Sequence, residues 1–425
     1  MSFPPPTPVS PSQFNLQLVN SGVAALAQPD GGIRQMVNLA RFTEDLTWGA
    51  VVLSPSTLIS TGPTPASINA TVNGRLMPLT GLLPTGFSSS VEHRYSAVSL
   101  TPFFAGSKYL VSYYVYAPQD TYFYMRPIAT TGSQGHGIRG VRAGQFKRVW
   151  TLFAATSQTA IDPGVAAETA LGSGSGVQPH FYQAGLPGTK PIYVGGFQIE
   201  AVAPTTKNGI MIIGDSTVAG SSGKIDTCRD FTDPNNAEWS THLAVALNCD
   251  CYNRGVGGET LTSMLARWDT DMTPLAANSA YCIIQGGIND INTAHSLSQM
   301  QSDLQGMVAK AVTNGFTMNG LTGTIRLIAV APTGYFTGDA TKEPLRLAYN
   351  AWLKQTYGAA VLDYNADIQN PWTAAHDSLN PAYFQNETPN VHPNGIGREV
   401  EAHRIAMSGN FSLLPTPSPY QRQQS

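Results

Sequence analysis

The sequence predicts a multidomain protein in which an N-terminal antiparallel β-sandwich, jelly-roll-like, precedes an α/β domain built on a parallel sheet. Three observations carry that prediction. The chain has 425 residues, too many for one core of typical size. From about Leu39 to residue 205 it shows short alternating or apolar runs such as "AVSLTPFF", "YLVSYYVYA", "TYFYMRPIA", "KRVWTLFAA" and "PIYVGGFQIEAV". Gly, Pro, Ser and Asn separate them and helical periodicity is nearly absent, the pattern of many short antiparallel strands with one face solvated. After "EAVAPTTKNG" the pattern becomes strand, then helix, repeatedly, which indicates a parallel sheet covered on both faces.

The α/β elements follow in order. "IMIIG" is a fully apolar strand, and "AEWSTHLAVAL" follows as a helix with Trp239, Leu243, Ala246 and Leu247 on one face. "CYNRG" and "YCIIQ" read as further short strands. Ser296 begins a capping box with Gln299, and Leu297, Met300, Leu304, Met307, Val308, Ala311 and Val312 form a helical stripe that Asn314-Gly315 ends. "TIRLIAV", "PLRLAYNAWLKQTY" and "AAVLDY" complete the alternation as strand, helix and strand, and "GREVEAHRIAM" reads as a final helix. Residues 1–38, rich in Pro and Ser, read as a flexible or particle-attachment arm, 39–205 as the sandwich, 206–412 as the α/β domain, and 413–425 as a disordered tail.

Composition excludes some functions. Lys and Arg total 24 against 27 for Asp and Glu, so no basic footprint points to nucleic acid. No run approaches the roughly 18 apolar residues of a membrane span, and no membrane insertion is expected. The opening "MSFPPPTPVSPSQ" lacks a basic and then an apolar region, so no cleaved secretory signal is expected. That leaves the cytoplasm, or the outside of the cell as part of a particle released by lysis. Cys228, Cys249, Cys251 and Cys282 match no zinc or disulfide framework. Cys282, inside "YCIIQ", reads as a small buried hydrophobe. Cys249 and Cys251, two apart on a strand, share one face and are badly placed for a disulfide.

Sites on parallel sheets form at the carboxyl ends of the strands, and four segments stand there. "IIGDSTVAG" carries Gly214-Asp215-Ser216; "NRGVGGET" carries Asn253, Gly255, Gly258 and Thr260; "GGIND" carries Gly287, Asn289 and Asp290; "NVHPNGIG" carries His392 just before a helix. Each alone is ordinary turn or helix-cap chemistry. In this order and spacing they resemble the SGNH, or GDSL-type, serine esterase family, over roughly residues 207 to 412.

The resemblance implies a flavodoxin-like three-layer α/β/α fold and acyl-ester hydrolysis with no metal and no cofactor. Such hydrolysis needs a nucleophile, a base and donors for the oxyanion. Carried over, Ser216 is the nucleophile and His392 the base that later protonates the leaving alcohol. The oxyanion donors are the Ser216 and Gly258 backbone N–H groups and the Asn289 side-chain amide. Asp215 and Asp290 organise their own loops. One element departs from the family pattern: its last block has an Asp three residues before the His, where this chain has Pro389. Either Glu387 orients the imidazole from a slightly longer loop, or a backbone carbonyl does so in a Ser-His dyad, or the site is inactive.

The first half, roughly residues 39 to 205, resembles the carbohydrate-binding-module-like sandwiches of bacteriophage tail fibres and tailspikes. That resemblance implies a virion protein that docks on O-acetylated bacterial polysaccharide, capsule or O-antigen, and presents an esterase to it beside other virion tail proteins. A homotrimer would suit such an appendage. Tyr113, Tyr114, Tyr116, Tyr122 and Tyr124 offer sugar-stacking platforms, although alternating Tyr is also ordinary sheet packing. A glycan-binding adhesin without catalysis, and a lipase or thioesterase acting on free acyl esters, remain open as alternatives.

Overall fold

The computed structural model describes residues 205–219, 238–336, 338–363, 384 and 391–413, together with strand segments of the N-terminal half between 68 and 202. The arm 1–38, the run "AVSLTPFF", Cys228, Glu387, Pro389 and the tail beyond Leu413 lie outside the described residues.

Five strands make the parallel sheet: β10 (Gly209–Gly214), β11 (Cys251–Gly255), β12 (Ser279–Gln285), β13 (Ile325–Ile328) and β14 (Val361–Leu362). Their order is β11-β10-β12-β13-β14, with every neighbouring pair parallel. Counted from the first strand of the domain this is 2-1-3-4-5, the order of flavodoxin-like doubly wound sheets, whose direction reverses between β10 and β12. The helices are α1 (Ser216–Ala219), α2 (Trp239–Leu247), α3 (Leu261–Asp271), α4 (Ile288–Asn292), α5 (Leu297–Thr313), α6 (Lys342–Tyr357) and α7 (Gly395–Ser408).

The strand period of two divides the core into two layers. Met211 and Ile213 of β10 face one side, where Met264 and Trp268 of α3, Met300, Leu304 and Met307 of α5, and Tyr349 and Leu353 of α6 pack. Ile210 and Ile212 face the other, against Val218 of α1, Trp239 and Leu243 of α2, and Ala402 and Ile405 of α7. All six residues of β10 are buried, which is why "IMIIG" is continuously apolar instead of alternating. Cys282 belongs to the first layer and is fully buried, and burial pushes its thiol far up. Cys249 and Cys251 are free buried thiols with Sγ atoms 4.0 Å apart.

Two helix faces differ from the sequence reading. Ala246 of α2 is exposed, while Ser240, Thr241, His242 and Ala244 are buried with Trp239 and Leu243. Trp239, Leu243 and Ala244 pack in the layer that α2 shares with the sheet and α7, and Ser240 Oγ accepts from Asn253 of β11. On α5, Val312 is 49% exposed, because the buried stripe ends at Ala311 and the chain turns at Gly315 with φ +91°. Ser296 caps α5, its hydroxyl accepting from Gln299 N–H at 3.2 Å. Gln299 does not complete the box, since its side chain donates to Asp303 Oδ1 at 2.9 Å.

In the N-terminal half, β1 (Ile68–Val72), β2 (Arg75–Leu82), β9 (Ile192–Val202), β4 (Lys108–Tyr116) and β7 (Phe146–Ala154) form one antiparallel sheet in that order. β3 (His93–Arg94), β8 (His180–Gln183), β5 (Thr121–Arg126) and β6 (Ile138–Val141) form another. Tyr114 is 6% exposed, stacked on Phe146 at 5.0 Å and lying under Arg148 at 4.5 Å. Its ring therefore packs the sheet and offers no face to a sugar. The side chains of Tyr113, Tyr122 and Tyr124 lie outside the described residues.

β6 and β7 supply the surface that covers α2. Arg139 of β6, fully buried, donates from Nη1 to the Cys249 carbonyl at 2.9 Å and from Nη2 to Asp250 Oδ1 at 2.8 Å. Lys147 Nζ donates to the Val245 carbonyl at 3.2 Å, and Asn248 Nδ2 to the Arg148 carbonyl at 3.2 Å. Burial, with the nearby Arg139 charge, lowers the Lys147 ammonium to about 8. The joint thus combines charge-assisted bonds from Arg139 and Lys147 to the end of α2 and the loop before β11 with a neutral amide bond from Asn248 back to β7.

Candidate active site

Ser216 stands where β10 turns sharply into α1. Asp215 makes that turn: Oδ1 accepts from Thr217 N–H at 2.8 Å and Thr217 Oγ1 at 2.7 Å, while its carbonyl accepts from Val218 and Ala219 N–H at 3.1 and 2.9 Å. Asp215 Oδ2 is buried without a hydrogen-bond partner among the described residues. Burial raises the Asp215 carboxyl to about 6; the Thr217 bonds and His392 pull against that rise, and the charge of Asp290 adds to it.

His392 comes from the other end of the domain. It sits between buried Val391 and Pro393, and Pro393 pairs with Phe384 in an isolated antiparallel bridge. Asn394 then caps α7, its Oδ1 accepting from Gly397 N–H at 3.0 Å and its Nδ2 donating to the Phe384 carbonyl at 3.1 Å. This anchoring brings His392 Nε2 to 2.9 Å from Ser216 Oγ, across 176 residues of sequence.

The loop after β11 approaches from the opposite side. Asn253 lies beneath it, with Nδ2 donating to the Val218 carbonyl at 2.7 Å and Ser240 Oγ at 2.8 Å, and Oδ1 accepting from Gly255 N–H at 2.8 Å. A Cβ at Gly255 would lie 2.3 Å from the Ala219 backbone nitrogen, so only glycine lets β11 run this close to α1. Gly257 and Gly258 are exposed, and Gly258 turns the chain at φ +80°. Thr260 caps α3, its hydroxyl accepting from Ser263 N–H at 3.4 Å.

Asn289 follows β12, in the first turn of α4, and its Nδ2 donates to the Glu259 carbonyl at 2.9 Å. A primary amide carries two N–H groups, so one remains for another acceptor. The next residue ties the two loops together: the Asp290 carboxylate accepts from Leu261 N–H at 3.0 and 3.2 Å and meets His295 Nδ1 at 3.0 Å. Burial raises its carboxyl, while the Leu261 N–H and His295 hold the rise back. Both acids, each fully buried, bond within or between the loops.

Of the sequence-nominated residues, the structure joins Ser216 to His392 by a hydrogen bond and Asn289 to the backbone next to Gly258. Glu387 lies outside the described residues. Sequence reasoning passed over Thr217, Ser240 and Arg267, whose bonds hold these loops. For Arg267 the one local signal is Asp271 four residues on, the spacing of a helix ion pair. Chemically, the arrangement offers a hydroxyl bonded to an imidazole beside a glycine-rich loop and a neutral amide donor, at the carboxyl ends of β10, β11 and β12.

Residues 212–400 match the model of the GDSL-like Lipase/Acylhydrolase family. Among solved structures, a protein from Desulfitobacterium hafniense described as a lipolytic protein of the G-D-S-L family is 21% identical, covering 48% of this chain and 99% of its own, at a TM-score of 0.38. The acetylxylan esterase Axe2 from Geobacillus stearothermophilus is 18% identical over 49% of this chain and 96% of its own, at 0.36. A family two carbohydrate esterase from Clostridium thermocellum is 11% identical over 77% of this chain and 92% of its own, at 0.35. No curated protein matches the chain.

Proposed function

We propose that this GDSL-like domain hydrolyses esters with Ser216 as nucleophile and His392 as general base, and that its substrate is an O-acetyl group on a bacterial surface polysaccharide. The observation that carries the catalytic part is the 2.9 Å hydrogen bond between Ser216 Oγ and His392 Nε2, the geometry an activated nucleophile requires. His392 takes the hydroxyl proton as Ser216 attacks the acyl carbon, and returns it to the leaving sugar hydroxyl. The Ser216 N–H, the Gly258 N–H and the Asn289 amide hold the negative oxygen of the tetrahedral intermediate. Water, deprotonated by the same imidazole, then releases acetate and regenerates Ser216.

The acetyl reading draws support from the open rim. Gly257 and Gly258 are exposed and Asn289 and His392 partly so, which suits a substrate whose acyl group is small and whose alcohol part stays in solvent. The polysaccharide and the setting rest on the N-terminal half, which we take to close into a carbohydrate-binding sandwich of a phage tail protein. Glu387 is proposed to orient His392; Glu387→Gln then lowers kcat strongly while sparing the fold.

Acetate release from O-acetylated capsule or O-antigen, by wild type and by Ser216→Ala, tests this reading. Release by wild type alone is expected, with p-nitrophenyl ester hydrolysis falling steeply beyond acetyl. Undiminished release by Ser216→Ala contradicts the catalytic assignment, and a preference for long acyl chains contradicts the substrate.

A further inference from the structure

We propose, on the reading of the site as a serine ester hydrolase, that Arg267 is a positioning residue that holds the oxyanion loop against the end of β10. One guanidinium reaches four acceptors. Nε donates to Glu259 Oε2 at 2.7 Å and Nη1 to Asp271 Oδ2 at 2.8 Å. Nη2 donates to the Arg254 carbonyl at 2.7 Å and to the Gly214 carbonyl at 3.4 Å. These acceptors belong to the parts that carry the site. Gly214 ends β10 immediately before Asp215 and Ser216, and Arg254 lies on β11 just ahead of the glycine loop. Glu259 follows Gly258, and its carbonyl receives the Asn289 amide at 2.9 Å.

The loop has few other anchors. Val256 N–H donates to the Gly214 carbonyl at 3.0 Å and Glu259 N–H to the Val256 carbonyl at 3.4 Å. Gly257 and Gly258 have no side chains to pack and glycine has the widest backbone freedom, so the direction of the Gly258 N–H depends on the bonds at its flanks. Arg267 supplies a rigid, planar fork there with its side chain 16% exposed, and a lysine has one ammonium where the fork needs several directions. The bond to Asp271 alone is an ordinary i,i+4 pair on α3; the other three cross between segments.

The test measures kcat and KM of the full chain on p-nitrophenyl acetate, with Ser216→Ala fixing the zero. Arg267→Met is expected to lower kcat by about 10- to 100-fold through a misplaced donor, with a much smaller change in KM. Arg267→Lys recovers only part of the loss. Asp271→Ala, which removes only the ordinary helix pair, stays within about twofold of wild type. Arg267→Met combined with Asn289→Ala costs much less than the product of the single losses, because both act on one oxyanion site. Wild-type kcat in Arg267→Met, a double variant equal to that product, or an Asp271→Ala loss as large as that of Arg267→Met overturns the proposal. If Arg267→Met does not fold, Arg267→Lys decides: reduced kcat supports the role and wild-type kcat overturns it. Activity retained by Ser216→Ala is a different failure, since it removes the ester-hydrolase reading itself and this proposal with it.

Discussion

The interior of the parallel sheet and the joint between the two halves are held in different ways. In the parallel sheet β10 buries apolar side chains on both faces, with Ile210 and Ile212 on one side and Met211 and Ile213 on the other, and Ser216 and Asn289 follow the carboxyl ends of β10 and β12. Where the antiparallel half meets the other, buried residues are charged: Arg139 and Asp250 pair at 2.8 Å with side chains 0% and 2% exposed. Removing one partner of a buried ion pair leaves the other charge without its counterion, which is strongly destabilising. The comparison therefore separates a catalytic end that depends on a few loop bonds from a joint that depends on one ion pair and its neighbours.

The largest expected effect is at the catalytic end. Ser216→Ala should lower kcat by about 10⁵- to 10⁶-fold with an unchanged thermal midpoint, read by acetate release and calorimetry. A large fall in the midpoint would instead make Ser216 a structural residue of the turn after β10. Next comes the joint: Arg139→Met removes the cation that pairs with the buried Asp250 carboxylate at 2.8 Å and should cost about 3–5 kcal/mol in denaturant unfolding. Adding Asp250→Leu should recover much of that loss; a double variant no more stable than Arg139→Met would show that the pair is not what holds the halves.

Asn289→Ala should reduce kcat by about 10²- to 10³-fold with a smaller change in KM, measured on an acetyl ester. A change in KM alone moves Asn289 from the oxyanion to substrate binding. The smallest effect concerns Asp215, whose carboxyl rises from 3.8 to about 6 on folding. A raised carboxyl binds its proton more tightly in the folded state, so its contribution is fully present below about pH 4 and is lost as pH rises through about 6, on the order of 1–3 kcal/mol. Asp215→Asn keeps the Oδ1 acceptor for Thr217 and should flatten stability between those pH values. An unchanged slope would mean that Asp215 does not set it.

The comparison also explains how much was legible in the sequence. β10 and β12 stand where the apolar runs "IMIIG" and "YCIIQ" are, because two-sided burial writes itself into consecutive residues. The segments at Ser216 and Asn289 directly follow these strands, and Ser216 and His392 meet although 176 residues separate them. Longer-range causes left no local mark. Ala246 is exposed on α2, while Ser240 is buried against Asn253 of β11, a partner that follows the helix in the chain. Arg139 bonds Asp250 across 111 positions, and nothing in "HGIRGV" distinguishes that arginine from a solvated one. Arg267 was hidden for the same reason: three of its four acceptors lie off its own helix.

The central claim is that Ser216 is the nucleophile activated by His392, and covalent trapping tests it most directly. A small alkyl phosphonate ester, which stops at the serine adduct, should label wild type once per chain, with peptide mass analysis placing the adduct on Ser216, and His392→Ala should label far more slowly. An adduct on another residue, or labelling of His392→Ala at the wild-type rate, would contradict the account.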